Sequence, residues 1–167
     1  MRAHAFPATP PPRVRLALSL AMSTSLAACS ALHGSHDGSA HADAVAAIEA
    51  RGRAYTALVG RMDHDRIAAM FVDDGEMASA GGPTIRGRRA ILDHLLSFSS
   101  YRVVSDRMSS DSVTVSGGSA TQVGRYWQRV QLPDGKVIEV HGRYRTEWAL
   151  DTVGTWRIRR METLPDS

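Results

Sequence analysis

The chain has 167 residues, room for one ordinary domain and a short leader. Its formal charge is +3, but residues 1–28 hold three arginines and no acid, so the remainder balances at 17 basic and 17 acidic side chains. That neutrality leaves no electrostatic footprint for nucleic acid, and a single cysteine excludes an intramolecular disulfide.

In chain order the first element is a leader. Arg2, Arg13 and Arg15 form a basic start, and Leu16 to Ala28 is a short apolar stretch without charge. That pairing reads as a secretory signal peptide over residues 1–28, too short for a spanning helix. Leu26-Ala27-Ala28-Cys29 resembles the lipobox of bacterial lipoproteins, which implies cleavage before Cys29 and a lipid on its sulfur. The expected place is the bacterial cell envelope, with Ser30 pointing to the outer membrane, facing the periplasm. Several acyl chains on one residue hold firmly, at about 0.8 kcal/mol per buried methylene. Residues 29–42 are then the lipidated cysteine and a small, polar, flexible tether. His33, His36 and His41 lack a free thiol or paired carboxylates beside them, so a tether is favoured over a metal tract.

From Asp43 the spacing of Val45, Ile48, Tyr55, Leu58, Val59 and Met62 predicts a helix, capped by Asp43 and stopped at Gly60. Asp63-His64-Asp65 caps a short second helix carrying Ile67, Met70 and Phe71, ended by Asp73-Asp74-Gly75. A brief strand over residues 76–80 meets the turn Gly81-Gly82-Pro83, and a third helix follows Gly87 with Ile91, Leu95 and Phe98 on one side. After Ser100 the period becomes two, predicting strands over 101–109, 113–116, 120–131, 136–150 and 155–164. Pro133-Asp134-Gly135 marks a hairpin. In the fourth of these strands Gly142, Tyr144, Thr146 and Trp148 face inward, while His141, Arg143, Arg145 and Glu147 face out. Arg160 and Glu162 continue the inward series of Trp156 and Ile158 as an ion pair. The triplet Gly-Arg-Tyr at 124–126 and 142–144 sets two glycines near two tyrosines. Three helices before a meander make an α+β domain over residues 43–167.

The series Tyr55, Ala57-Leu58, Asp63, Ile67, Phe71, Asp73-Asp74, then Ile85-Arg86-Gly87, Ile91, then Gly142-Arg143-Tyr144, Trp148, Gly154, Trp156 and Ile158 resembles the SnoaL-like members of the nuclear-transport-factor-2-like superfamily. The resemblance implies a cone: a curved antiparallel sheet and three N-terminal helices enclosing a pocket, usually a homodimer through the sheet. Members include steroid isomerases, polyketide cyclases and epoxide hydrolases. The steroid isomerases use a first-helix tyrosine, an aspartate after the second helix and a late-strand acid. Tyr55 matches the tyrosine, but Ser79 and Thr146 fall at the two acids. Serine is no general base without its own activator, and threonine donates more weakly than a protonated carboxyl.

The implied pocket wall is Tyr55, Met77, Ser79, His94, Tyr144, Thr146 and Trp148. His94, Tyr55 and Asp74 are the catalytic candidates; a wall histidine and turn-forming aspartates are equally their ordinary roles. No metal-ligand spacing, phosphate loop, nucleophile elbow or dinucleotide fingerprint occurs, so neither metal nor cofactor is expected. Two functions follow: a lipid-anchored domain that holds a small, partly apolar molecule or acts as a dimeric interaction module, or a proton-transfer or hydrolytic enzyme using His94 with Tyr55 or Asp74.

Overall fold

The computed structural model describes residues 29–164, with side chains from Gly38 onward. The leader over 1–28 and the side chain of Cys29 lie outside the described residues. The first helix, α1 (Cys29–Gly60), starts well before Asp43, so Asp43 is not its cap and the stretch read as a tether continues the helix. Once a packed half has nucleated a helix, each further residue adds a hydrogen bond at little cost. Packing itself begins where the sequence placed it: residues 38–43 are exposed, Ala44 is partly buried and Ile48 fully so.

The chain leaves α1 through Met62, whose φ of 54° is left-handed. Met62 N–H donates to the Val59 carbonyl at 3.0 Å and Asp63 N–H to Leu58 at 3.1 Å. This crossed pair is the Schellman closure, and it uses Met62 where the sequence suggested Gly60 as the stop. Helix α2 (His64–Ala69) is capped as expected, the Asp63 carboxylate accepting from Arg66 N–H at 3.3 Å. A cap is worth about 1 kcal/mol, whereas fully burying a side chain such as Ile67 contributes about 1.5–3 kcal/mol, so packing dominates in so short a helix.

Strand β1 (Phe71–Ser79) begins at once, so Phe71 and the Asp73-Asp74-Gly75 run belong to a strand rather than to the end of a helix. The run forms a bulge: Phe71 pairs with Ile158, yet Glu76 already pairs with Arg160. Arg88 secures the bulge, donating to the Phe71 carbonyl at 2.7 and 3.2 Å and pairing with Asp73 at 2.8 Å. Short β2 (Ile85–Arg86) pairs with β1, and α3 (Arg88–Leu96) follows Gly87 as predicted. Four strands complete the chain: β3 (Arg102–Ser116), β4 (Ser119–Gln131), β5 (Val137–Leu150) and β6 (Trp156–Leu164). The two strands expected over 101–116 are one; a register shift between Ser110 and Ser112 replaces the predicted break.

The sheet order is β2-β1-β6-β5-β4-β3. All pairs are antiparallel except β1–β6, which is parallel, so the sheet is mixed rather than wholly antiparallel. No hairpin joins β1 to β6, so their direction is unconstrained by a turn. Ile48, Ile67, Phe71, Ile91, Trp148 and Ile158 fill the core between helices and sheet. The inward and outward sets on β5 fall as the sequence read them. On β6 the expectation fails after Ile158: a bulge opposite Glu147 and Trp148 shifts the register, so Met161 turns inward. Arg160 and Glu162 lie on the outer face, Arg160 bridging Glu76 and, at 3.7 Å, Glu162.

Candidate functional site

The curved sheet and α1 leave two cavities between them, of about 320 and 270 Å³. Tyr55, Met108, Tyr144 and Met161 line both, standing as the partition. The larger is polar, with Glu49 and Arg53 of α1 opposite Ser110, Gln122 and Thr146. There Trp148 Nε1 donates to Gln122 Oε1 at 3.2 Å. Gly52 makes room: a Cβ at that position would lie 3.4 Å from the Gln122 amide nitrogen. The Thr146 hydroxyl oxygen is buried without a partner among the described residues.

The smaller cavity is chiefly apolar, walled by Val59, Ile67, Leu95, Phe98, Val103 and Val130, with Tyr126, Gln128 and His64 as its polar points. A mostly apolar hollow with a few fixed polar groups is the chemistry of a small-molecule site. Burial raises the Tyr55 hydroxyl above the ordinary tyrosine range, and the negative charge of Asp106 adds to it. Tyr55 therefore stays protonated near neutrality and is a hydrogen-bond donor. Tyr144 is also raised by burial, an effect its hydrogen bond with Ser110 opposes.

Of the residues expected to form the wall, Tyr55, Tyr144, Thr146 and Trp148 do so. Met77 packs instead against the hydrophobic core, and Ser79 is exposed at the end of β1. His94 is half-buried on α3, its ring edge-on to Phe98 at 5.2 Å; Leu95 and Phe98 face the cavity in its place. Asp74 is exposed on the β1 bulge. The three catalytic candidates therefore do not converge: neither His94 nor Asp74 meets Tyr55. Among the described residues no group of three or more His, Cys, Asp or Glu is gathered as a metal site.

The carboxylate whose charge acts on Tyr55 is that of Asp106, which sequence reasoning passed over. Both of its carboxylate oxygens are buried, and neither completes a hydrogen bond of ordinary geometry. Burial raises its pKa; the nearby Gln128 amide and Arg107 backbone N–H oppose this only in part. A register shift between Val103 and Ser105 hid the residue, because strict alternation from Val103 places position 106 outside. The available signal was Met108, an apolar residue at the same parity as Asp106.

A cone of curved sheet closed by helices, hollow and lined with tyrosines, defines the class of pocket-bearing α+β domains. The SnoaL-like domain family matches residues 40–162, and the chain belongs to it, within the nuclear-transport-factor-2-like superfamily. No curated relative matches. Among solved structures, a ketosteroid isomerase-like protein from Erwinia carotovora atroseptica is 22% identical with a TM-score of 0.66, over 71% of this chain and 93% of that one. An NTF2-like protein with a cystatin-like fold from Novosphingobium aromaticivorans is 20% identical with a TM-score of 0.63, over 86% and 94%. A conserved protein from Planctomyces limnophilus is 17% identical with a TM-score of 0.67, over 74% and 96%. At such identities the likeness is one of fold.

Proposed function

We propose that this chain is an exported, lipid-anchored SnoaL-like domain that holds a small, partly apolar molecule in its cone. The observation that carries the reading is the apolar cavity of about 270 Å³ under α3, opening past Tyr55 toward a polar one. Its occupant would bury a hydrocarbon portion against Leu95, Phe98 and Met108 and present a hydrogen-bond acceptor to Tyr55. The probe is an apolar fluorophore such as anilinonaphthalene sulfonate, with native mass spectrometry for co-purified ligand. Leu95→Trp, which fills the hollow, should weaken fluorophore binding about tenfold, the worth of roughly 1.4 kcal/mol. Equal binding by the filled variant would refute the pocket.

The anchor is supported by the leader and the Leu26-Ala27-Ala28-Cys29 sequence. Its expected result is palmitate labelling and recovery in the outer-membrane fraction of a bacterial host, both lost in Cys29→Ser. Labelling that survives the substitution overturns it.

A second reading, proton transfer, is favoured by one specific observation: a buried carboxylate whose pKa burial raises against the weak opposition of Gln128 and the Arg107 N–H, close enough for its charge to act on a tyrosine held protonated. Asp106, with its raised pKa, is the acid–base group of that reading, and Tyr55 its donor to a developing oxyanion. His94 and Asp74 have no part in it.

A further inference from the structure

The outer face of the sheet carries a groove of about 500 Å³ across β3, β4 and β5, away from the cone. Three charged pairs elsewhere on this face are matched across strands. Arg129 pairs in register with Glu139, Arg145 with Glu162, and Glu147 with Arg160. The groove breaks that rule. Arg125 and Arg143 are direct cross-strand partners, both exposed, and like charges so placed repel. One row away Arg107 lies opposite Trp127, its guanidinium carbon 5.6 Å from the indole centroid. No carboxylate among the described residues pairs with Arg107 or Arg143; Arg125 has only Asp111, at 3.8 Å.

We propose that this groove binds a multiply charged phosphate-bearing anion. Three guanidiniums on three neighbouring strands, about 4.8 Å apart from strand to strand, present planar forks suited to bidentate contact with phosphate oxygens. Trp127 holds the Arg107 guanidinium by cation–π attraction, which fixes one fork in advance. The bound anion relieves the repulsion between Arg125 and Arg143. Alternation along the strands sends the three arginine side chains to the face opposite the inner cavities, and Tyr126 is the one residue that lines both the groove and the smaller cavity.

The test is calorimetric titration of the full-length protein with inorganic tripolyphosphate at low salt. Saturable binding that weakens as sodium chloride is raised is expected. The double variant Arg125→Gln/Arg143→Gln should lose about tenfold or more in affinity while melting no lower than the parent, because removing like charges does not unsettle the sheet. Arg129→Gln, whose guanidinium already has Glu139, should change affinity less than about twofold. A second arm uses vesicles of phosphatidylglycerol against phosphatidylcholine. Capture by the anionic vesicles, lost in the double variant, assigns the phosphate to a lipid headgroup, and its absence assigns it to a soluble phosphate ester. No binding by the parent, or equal binding by the double variant, overturns the proposal. So does sedimentation showing that a second copy covers this face and that tripolyphosphate leaves that dimer unchanged.

Discussion

Replacing Gly124 with alanine should cost the domain about 3 kcal/mol or more and lower its melting temperature by about 10 °C. Gly124 lies in β4 between Ser110 of β3 and Tyr144 of β5. A Cβ there would land on the Ser109 carbonyl oxygen and within 2.8 Å of Cε1 and Oη of Tyr144. The tyrosine could rotate away only by leaving the cavity partition, and the carbonyl is fixed by the β3–β4 ladder. The cost therefore falls on strand pairing, at a close backbone approach of the kind for which sheets use glycine. Gly142 is the mirror case, with the Leu164 carbonyl and the Tyr126 ring, 3.1 Å away, in the path of a Cβ. Gly118→Ala is the control: its Cβ would meet Leu150 at 3.9 Å, an ordinary contact. Thermal unfolding by circular dichroism measures all three. A Gly124→Ala protein that melts with the Gly118→Ala protein would disprove the close approach.

Asp106→Asn should stabilise the domain at neutral pH, because it replaces a carboxylate whose charged form burial disfavours with a neutral amide of the same shape. The sign follows from burial, which raises the carboxyl pKa in the folded state. The folded protein then holds that proton more tightly than the unfolded chain does. Below the unfolded value, near 4, both states are protonated and nothing is lost. As pH rises through the window between the unfolded and the raised folded pKa, stability falls, and the deficit stays constant above it. Denaturant titrations should show the asparagine variant ahead at pH 7 and level with the parent at about pH 3. An asparagine variant no more stable at pH 7 would mean the carboxylate is satisfied, and the acid–base role would lose its basis.

Wherever period and turn chemistry agree, the fold was legible in the sequence. The alternation from Gly142 to Trp148 gave the inward face of β5, and Gly87 gave the start of α3. The Gly-Arg-Tyr triplets did foretell a contact: Gly124 pairs with Tyr144, and Tyr126 with Gly142. Much of what failed within the sheet is local and has one cause. Bulges in β1, β3 and β6 each shift a register, and each misplaced residues within or beyond it: Asp73 and Asp74, Asp106, and the Arg160–Met161–Glu162 run. A bulge leaves little mark on composition, because backbone hydrogen bonding defines it. The site was half legible for the same reason. Its tyrosines and Trp148 sit on regular stretches, whereas its carboxylate sits just past a shift.

The position of β6 has a consequence for the order in which the protein is made. It is the last of the described strands to be synthesised, yet it lies between β1 and β5, joining two otherwise separate groups of strands. Phe71 must find Ile158, a partner 87 positions later, before β1 has any long neighbour. A ribosome that has released only the first 155 residues holds a three-stranded β3–β5 meander and a helical half with no sheet to cover. Closure of such distant pairs is slow, so the chain stays open until its final strand arrives. The export proposed above would be served by that delay.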